Sequence, residues 1–174
     1  MLKSILSGLL ALALGFVVQV VQAGAMPAAL SAPTQPVVLT VTGAIAVTNA
    51  PGAAQFDLAM LEAMGAETIR TTTIWTDGVQ EFTGLPLHRL LEHLGVKTGR
   101  LEARAINDYA AEVPMADAVP GGAMIAWLRN GAPMPVRDKG PLWIIYPYDA
   151  SPAFRTESHY SRSVWQLERI DVRP

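Results

Sequence analysis

Side chains that could bind a ligand recur at the predicted ends of strands in this sequence. They occur at Trp75, in Asn107-Asp108-Tyr109, in Arg137-Asp138-Lys139-Gly140-Pro141, in Tyr146-Pro147-Tyr148-Asp149, and at Arg162 and Trp165. Loops at strand ends are where a rigid scaffold commonly carries binding residues, so we expect these side chains to line a pocket. Trp127 and Trp143 lie inside apolar segments instead and are predicted to belong to the core.

Such a pocket would suit a flat, polar heterocycle. An aromatic face stacks on the ring, and a carboxylate accepts two hydrogen bonds from the N–H and NH₂ groups of an amidine-like edge. Stacking contributes on the order of 1–3 kcal/mol per ring, whereas micromolar binding requires about 8 kcal/mol. Polar partners must therefore supply much of the binding free energy. In the alternative reading, charged neighbours such as Arg137 and Asp138 are only surface ion pairs.

Several other chemistries find no support in the sequence. Cysteine is absent, which excludes a thiolate nucleophile, a zinc–thiolate site, an iron–sulfur cluster and a covalent haem link. His88 and His93 are five residues apart, whereas a zinc pair on one helix face requires four, so both are expected at the surface. His159 is also expected to be exposed. No Gly-x-Ser-x-Gly elbow and no phosphate-binding loop occurs.

The elements that must position the candidate residues are mostly short strands. Alternating, β-branched or continuous apolar residues predict strands over 36–43, 67–74, 79–82, 101–106, 123–128, 142–146 and 164–172. Turns are predicted at 49–52, at 76–78 and at Asn130-Gly131.

Two short helices complete the predicted pattern. Asp57 is placed to cap a helix over 58–64, and a second helix over 87–94 carries leucines at positions i, i+3, i+4 and i+7. A glycine follows each helix and ends it. Because strands and helices do not alternate regularly, the sequence predicts a mixed, β-rich α+β fold rather than a doubly wound parallel sheet.

The N-terminal segment predicts export. Lys3 precedes an apolar run over 5–21, and small-x-small patterns follow, so residues 1–25 are predicted to be a signal peptide cleaved after Ala23 or Ala25. An uncleaved membrane anchor is the alternative, because the run is nearly long enough to span a bilayer. Residues 26–35 read as a flexible leader and 36–174 as a single periplasmic domain. The net charge of −2 offers no basic field for nucleic acid.

An ordered set of motifs resembles the molybdopterin-binding domain of the sulfite oxidase family. The motifs are Phe82-Thr83-Gly84-Leu85-Pro86-Leu87, Ala105-Ile106-Asn107-Asp108-Tyr109, Leu128-Arg129-Asn130-Gly131-Ala132-Pro133-Met134-Pro135, Asp138-Lys139-Gly140-Pro141-Leu142, Tyr146-Pro147 and Arg162-Ser163-Val164-Trp165. The resemblance implies a mixed α+β fold and a molybdenum pterin cofactor held by a cysteine thiolate near the end of an early strand. Residues 71–75 occupy that region here and contain no cysteine. The Arg-rich stretch after that cysteine is missing too, and Lys139 stands where the family motif has histidine.

A small exported branch of this fold is similar to the present chain in size and motifs. That branch binds a reduced pterin in the periplasm without catalysis and signals to a membrane protein that makes or degrades cyclic di-GMP. By this resemblance, Trp75 and Trp165 are the predicted stacking residues. Asp108 and Asp149 are predicted to bind the aminopyrimidinone edge of the pterin.

The remaining predicted ligand-binding residues are three tyrosines and two cations. Tyr109, Tyr146 and Tyr148 are expected to shape the pocket. Lys139 and Arg162 match family positions near the cofactor phosphate and are expected here to contact the side chain of the pterin. No metal ligand or catalytic residue is predicted. Two alternatives stay open: a molybdopterin-dependent oxidoreductase with a ligand other than cysteine, and an interaction module that binds no small molecule.

Overall fold

The computed structural model describes residues 30–174, so the predicted signal peptide and the first residues of the predicted leader lie outside it. The described strands are β1 (Leu39–Gly43), β2 (Ala53–Phe56), β3 (Glu67–Thr73), β4 (Thr76–Pro86), β5 (Arg100–Ala105), β6 (Ala110–Pro114), β7 (Met124–Arg129), β8 (Ala132–Pro133), β9 (Trp143–Ile145) and β10 (Leu167–Arg173). The α-helices are α1 (Leu58–Ala63), α2 (Leu87–His93) and α3 (Glu157–Ser161). In this part of the chain, no helix is both long and apolar enough to cross a membrane.

The strands form two five-stranded sheets. The first has the order β2-β1-β10-β5-β6, in which β1 and β10 are parallel and the other pairs antiparallel. The second has the order β3-β4-β7-β8, and β9 also pairs with β7. Sheets without regular βαβ units, accompanied by short helices, make a β-rich α+β fold, which confirms the predicted fold class.

One continuous core joins the two sheets, and its largest fully buried side chains include Trp143, Tyr146 and Phe82. Trp127 and Trp143 are only 3% and 0% exposed, so their predicted core placement is confirmed. The leucine stripe of α2 is buried as its periodicity predicts. Asp57 caps α1 by accepting a hydrogen bond from Met60 N at 2.9 Å.

The hairpin between β3 and β4 differs from its prediction. Its turn is at Ile74 and Trp75, not at 76–78, because the hydroxyls of Thr73 and Thr76 pair at 2.8 Å and Trp75 N donates to Thr73 Oγ1 at 3.0 Å. Strand β4 therefore runs through the segment predicted to open the second helix. Gly84 allows this, because a Cβ there would lie 2.2 Å from the carbonyl oxygen of Ile125. Trp75 therefore lies in the two-residue turn at the tip of the β3–β4 hairpin.

Four of the described strands and helices were absent from the sequence prediction: β2, β6, β8 and α3. The prediction that His159 is exposed is also wrong, since its side chain is 17% exposed and packs edge-on to Tyr146 at 5.0 Å between ring centroids. His88 and His93 are half-buried rather than fully solvated, and each has one buried ring nitrogen without a hydrogen-bond partner. Thr156 caps α3, the helix that carries His159.

Candidate ligand-binding site

A cavity of about 530 Å³ lies between three segments and is called here the aromatic pocket. Its lining comes from the β3–β4 turn, the end of β5 with the loop after it, and α3 with the residues that follow. The lining residues are Ile74, Trp75, Ala105, Asn107, Tyr109, Glu157, Tyr160, Ser161, Ser163 and Trp165. The structure thus brings three predicted site residues, Trp75, Tyr109 and Trp165, to one cavity.

Trp75 is the centre of the aromatic cluster. Its ring contacts Trp165, Trp143 and Tyr160 edge-to-face, with centroids 5.6, 5.7 and 5.8 Å apart. The planes of Trp75 and Trp165 are inclined by 76°. A flat ligand can therefore stack on one of these rings while it meets the edge of the other, a favourable aromatic arrangement.

Tyr148 supports the pocket from behind. Its side chain is buried and its hydroxyl is hydrogen-bonded to Ser163 Oγ, which itself donates to the carbonyl oxygen of His159 at 2.7 Å. Burial is the main cause that raises the pKa of Tyr148 above its ordinary value. Trp143 Nε1 donates to Ser163 O at 3.2 Å. The phenol of Tyr148 therefore stays neutral and holds the segment after α3 in place.

Tyr146 belongs to a second buried cluster, centred on Asp117. The carboxylate of Asp117 accepts hydrogen bonds from the Tyr146 hydroxyl at 2.9 Å and from Arg162 Nη1 at 3.1 Å, and His159 Nε2 lies 3.9 Å away. Burial first, and the neighbouring Asp117 charge second, raise the pKa of Tyr146. Asp117 was missed by sequence reasoning, and no motif around it would have revealed it. The cluster fixes both α3 and Arg162.

Lys139 lies beside the aromatic cluster. Its ammonium is 5.3 Å from the ring centroid of Trp165 and 5.8 Å from that of Trp143, a cation–π arrangement. Its backbone is left-handed, with φ +69°, and its carbonyl oxygen accepts from Gln166 N at 3.0 Å. Neither Lys139 nor Arg162 lines the aromatic pocket.

The two predicted carboxylates also lie outside the pocket lining. Asp149 accepts from Thr72 N at 2.6 Å, from Thr72 Oγ1 at 2.7 Å and from Arg155 Nη2 at 2.8 Å. The Thr72 hydrogen bonds are the first cause that lowers its pKa. Asp149 therefore ties β3 to the loop after β9.

Asp108 lies in a second concavity, called here the charged groove. Its side chain is 88% exposed, and its carboxylate is 3.8 Å from Arg104 Nη1. The groove, of about 540 Å³, is lined by Thr42, Glu102, Arg104, Asp108, Glu168, Arg169, Asp171 and Arg173.

The acid that does line the aromatic pocket is Glu157, which sequence reasoning missed. Thr156, the residue before it, is of a type that often caps helices and could have indicated a helix here.

The region that the resemblance relates to the family's metal-binding cysteine contains three hydrogen-bonded threonines. Thr71 Oγ1 donates to Thr72 O and accepts from Asp149 N, both at 3.1 Å. The hydroxyls of Thr72 and Thr73 are engaged by Asp149 and Thr76. Over residues 30–174, no three His, Cys, Asp or Glu side chains cluster as metal ligands would.

A pocket of aromatic side chains on a mixed α+β fold defines a protein suited to binding a flat organic ligand. Residues 56–151 match the oxidoreductase molybdopterin binding domain, and the chain belongs to this family. The structure is similar to the sulfane dehydrogenase SoxCD from Paracoccus pantotrophus, with a TM-score of 0.58 and 19% identity over 78% of this chain and 37% of that one. This likeness supports the fold alone, and the chain spans little more than a third of that neighbour. A search of curated proteins found no match.

Proposed function

We propose that this chain is an exported, periplasmic pterin-binding protein, a non-catalytic sensor that regulates an inner-membrane signalling partner. The observation that carries the proposal is the aromatic pocket, in which Trp75, Trp165 and Tyr160 line a cavity of about 530 Å³, a volume typical of small-molecule binding sites. The family match adds that domains of this kind bind a pterin-containing cofactor. The predicted signal peptide supports the periplasmic location.

The residues present do not fit a bound molybdenum centre. Molybdenum in this family requires a soft thiolate, and the chain contains no cysteine. The threonine hydroxyls that occupy the corresponding region, those of Thr71, Thr72 and Thr73, are already bonded within the protein. The proposal therefore includes no redox step, and the pterin ring itself is the ligand.

The walls of the pocket can act together when a ring is bound. Tyr109, on the loop after β5, donates its hydroxyl hydrogen bond to Ser161 O of α3 at 2.7 Å. This bond joins two walls at the mouth of the cavity. A pterin stacked on Trp165 would contact the turn carrying Trp75 and α3 at once, so binding should order the rim.

The rim is also the proposed contact with the signalling partner. Ile74, Ile106 and Tyr109 are 61%, 47% and 48% exposed, although each is a large apolar or aromatic residue. Ile74 and Tyr109 line the pocket itself. A partner that covers this rim would sense whether the pocket is filled. The resemblance to the exported branch suggests a membrane protein that makes or degrades cyclic di-GMP.

The decisive experiment uses protein expressed with its native export signal and purified from the periplasm. Titration with neopterin and tetrahydropterins is expected to quench tryptophan fluorescence with micromolar affinity, and mass spectrometry should detect a pterin released on denaturation. Stoichiometric molybdenum with turnover of sulfite or a sulfoxide would instead support the oxidoreductase alternative. Absence of any bound or binding small molecule would support an interaction module.

A second experiment tests the signalling role. Cells that produce the Trp165→Ala variant are expected to show the cyclic di-GMP level of cells that lack the protein, because the sensor can no longer be filled. Equal expression of variant and wild type is the control. A wild-type level of cyclic di-GMP in the variant strain would contradict the sensor proposal.

A further inference from the structure

Among residues 30–174, Glu157 is the only acidic or basic side chain that lines the aromatic pocket. Within residues 30–174 the carboxylate of Glu157 makes no hydrogen bond and no ion pair, whereas the carboxylates of Asp117 and Asp149 make both. Helix α3 presents Glu157, Tyr160 and Ser161 to the pocket at positions i, i+3 and i+4, which share one face of a helix. A carboxylate with free acceptor capacity thus lies on the same wall as an aromatic ring.

The other nearby acids are already used by the protein. Asp117 accepts hydrogen bonds from Tyr146 and Arg162, and Asp149 accepts them from Thr72 and Arg155. Neither carboxylate lines the pocket. Elimination therefore leaves Glu157 as the acid that can meet a ligand there.

We propose that Glu157 binds the aminopyrimidinone edge of the pterin and that the pocket selects pterins without a phosphorylated side chain. This inference rests on the proposed function. The 2-amino group and the adjacent ring N–H are two parallel donors, and a carboxylate accepts from both in a bidentate pair. Stacking on Trp165 leaves that edge free to turn toward α3.

The charge around the pocket supports the selection against phosphate. The lining contributes one negative charge and no positive one. Neither of the two cations expected near a cofactor phosphate lines the pocket: Arg162 is paired with Asp117, and Lys139 lies over the rings of Trp143 and Trp165. A phosphate in the pocket would lose water without gaining a cation and would be repelled by Glu157. The family cofactor carries such a phosphate, so this chain would have exchanged that ligand for an uncharged one.

The test compares three ligands on the purified full-length exported protein. Dihydroneopterin is the reference, its lumazine analogue replaces the 2-amino group by oxygen, and dihydroneopterin triphosphate adds the anion. Wild-type protein should bind the reference at least tenfold more tightly than either of the others. Glu157→Gln should weaken the reference at least tenfold and leave the lumazine analogue unchanged. Glu168→Gln, which removes the same charge from the charged groove, should change neither.

The outcomes separate this inference from the function on which it rests. Wild-type protein that binds no pterin would overturn both. Tight pterin binding that Glu157→Gln leaves intact, or triphosphate binding within threefold of the reference, would overturn only the inference. Equal losses for pterin and lumazine in Glu157→Gln would also overturn it, because they would show that Glu157 acts on the pocket rather than on the amino group. Unchanged thermal unfolding of each variant confirms that the comparison concerns folded protein.

Discussion

The aromatic pocket and the charged groove have nearly the same volume, about 530 and 540 Å³, but use their side chains in opposite ways. In the groove, Glu102 pairs with Arg104 at 2.9 Å and with Arg173 at 2.7 Å, and Asp171 pairs with Arg173 at 3.1 Å. In the pocket, aromatic faces remain accessible and the carboxylate of Glu157 has no partner in the described residues. Two groove residues, Glu168 and Arg169, also form no side-chain hydrogen bond or ion pair in the described residues, so the accessible aromatic faces, rather than size or a free carboxylate alone, distinguish the pocket from the groove.

Among the variants that test this comparison, Asp117→Ala is expected to have the largest effect, a loss of folding stability. Removal of the Asp117 carboxylate leaves the guanidinium of Arg162 and the hydroxyl of Tyr146 without their partner in a largely buried place, which should lower the free energy of unfolding by about 3 kcal/mol. Urea denaturation measures this change. Asp171→Ala in the groove is the control, and its exposed pair should cost under about 1 kcal/mol. Equal losses would show that the pocket wall depends on its buried cluster no more than the groove does on its pairs.

A smaller but more specific effect is expected for Trp165→Ala. The variant loses the stacking face and the edge contact with Trp75, so pterin affinity should fall by about 1–3 kcal/mol, which is roughly 5- to 150-fold. The fold should persist, because Trp165 is only half-buried. Fluorescence or calorimetric titration tests this, with Arg104→Ala in the charged groove as the matched control. Unchanged affinity would remove Trp165 from the ligand-binding residues.

The helices and strands differ in how far the sequence predicts them. Elements with a strong apolar pattern, such as α2 with its leucine period and β7 with its apolar run, were predicted because burial of their own residues stabilises them. Helix α3 was missed because its five residues carry no apolar stripe. It is held by Asp117, a residue 45 positions from Arg162. Such long-range polar contacts leave no local pattern in the sequence.

The lack of a local pattern for long-range contacts also explains why the sequence predicted the candidate site only in part. Trp75, Tyr109 and Trp165 could be proposed from residue type and position, since aromatic residues at strand ends often line pockets. The sequence could not show which acid lines the aromatic pocket, because Asp108, Asp149 and Glu157 all follow or flank predicted strands or loops. Only the fold shows that two of them lie outside the aromatic pocket. The family match ends at residue 151, before α3, so it does not indicate Glu157 either.

A pH effect of smaller size tests whether Asp149 is structural. The Thr72 hydrogen bonds keep its pKa in the folded protein below the ordinary value of 3.8. Its stabilising contribution is therefore present above that value and is lost as the pH falls through the lower folded pKa. Thermal unfolding measured below pH 4 should show a shallower acid dependence in Asp149→Asn. Asp57, whose pKa is also lowered, should keep part of the acid dependence in this variant. An unchanged acid profile would contradict the structural role.

The smallest predicted effect concerns the mouth of the aromatic pocket. Tyr109→Phe keeps the ring but removes the hydroxyl that donates to Ser161 O at 2.7 Å. Because a hydrogen bond in a half-exposed position contributes about 0.5–1.5 kcal/mol, pterin affinity should fall only about two- to tenfold, mainly through faster dissociation. Stopped-flow displacement measures that rate. A wild-type dissociation rate would show that the bond between the two walls does not retain the ligand, and the contrast with the charged groove would then rest on stacking and Glu157 alone.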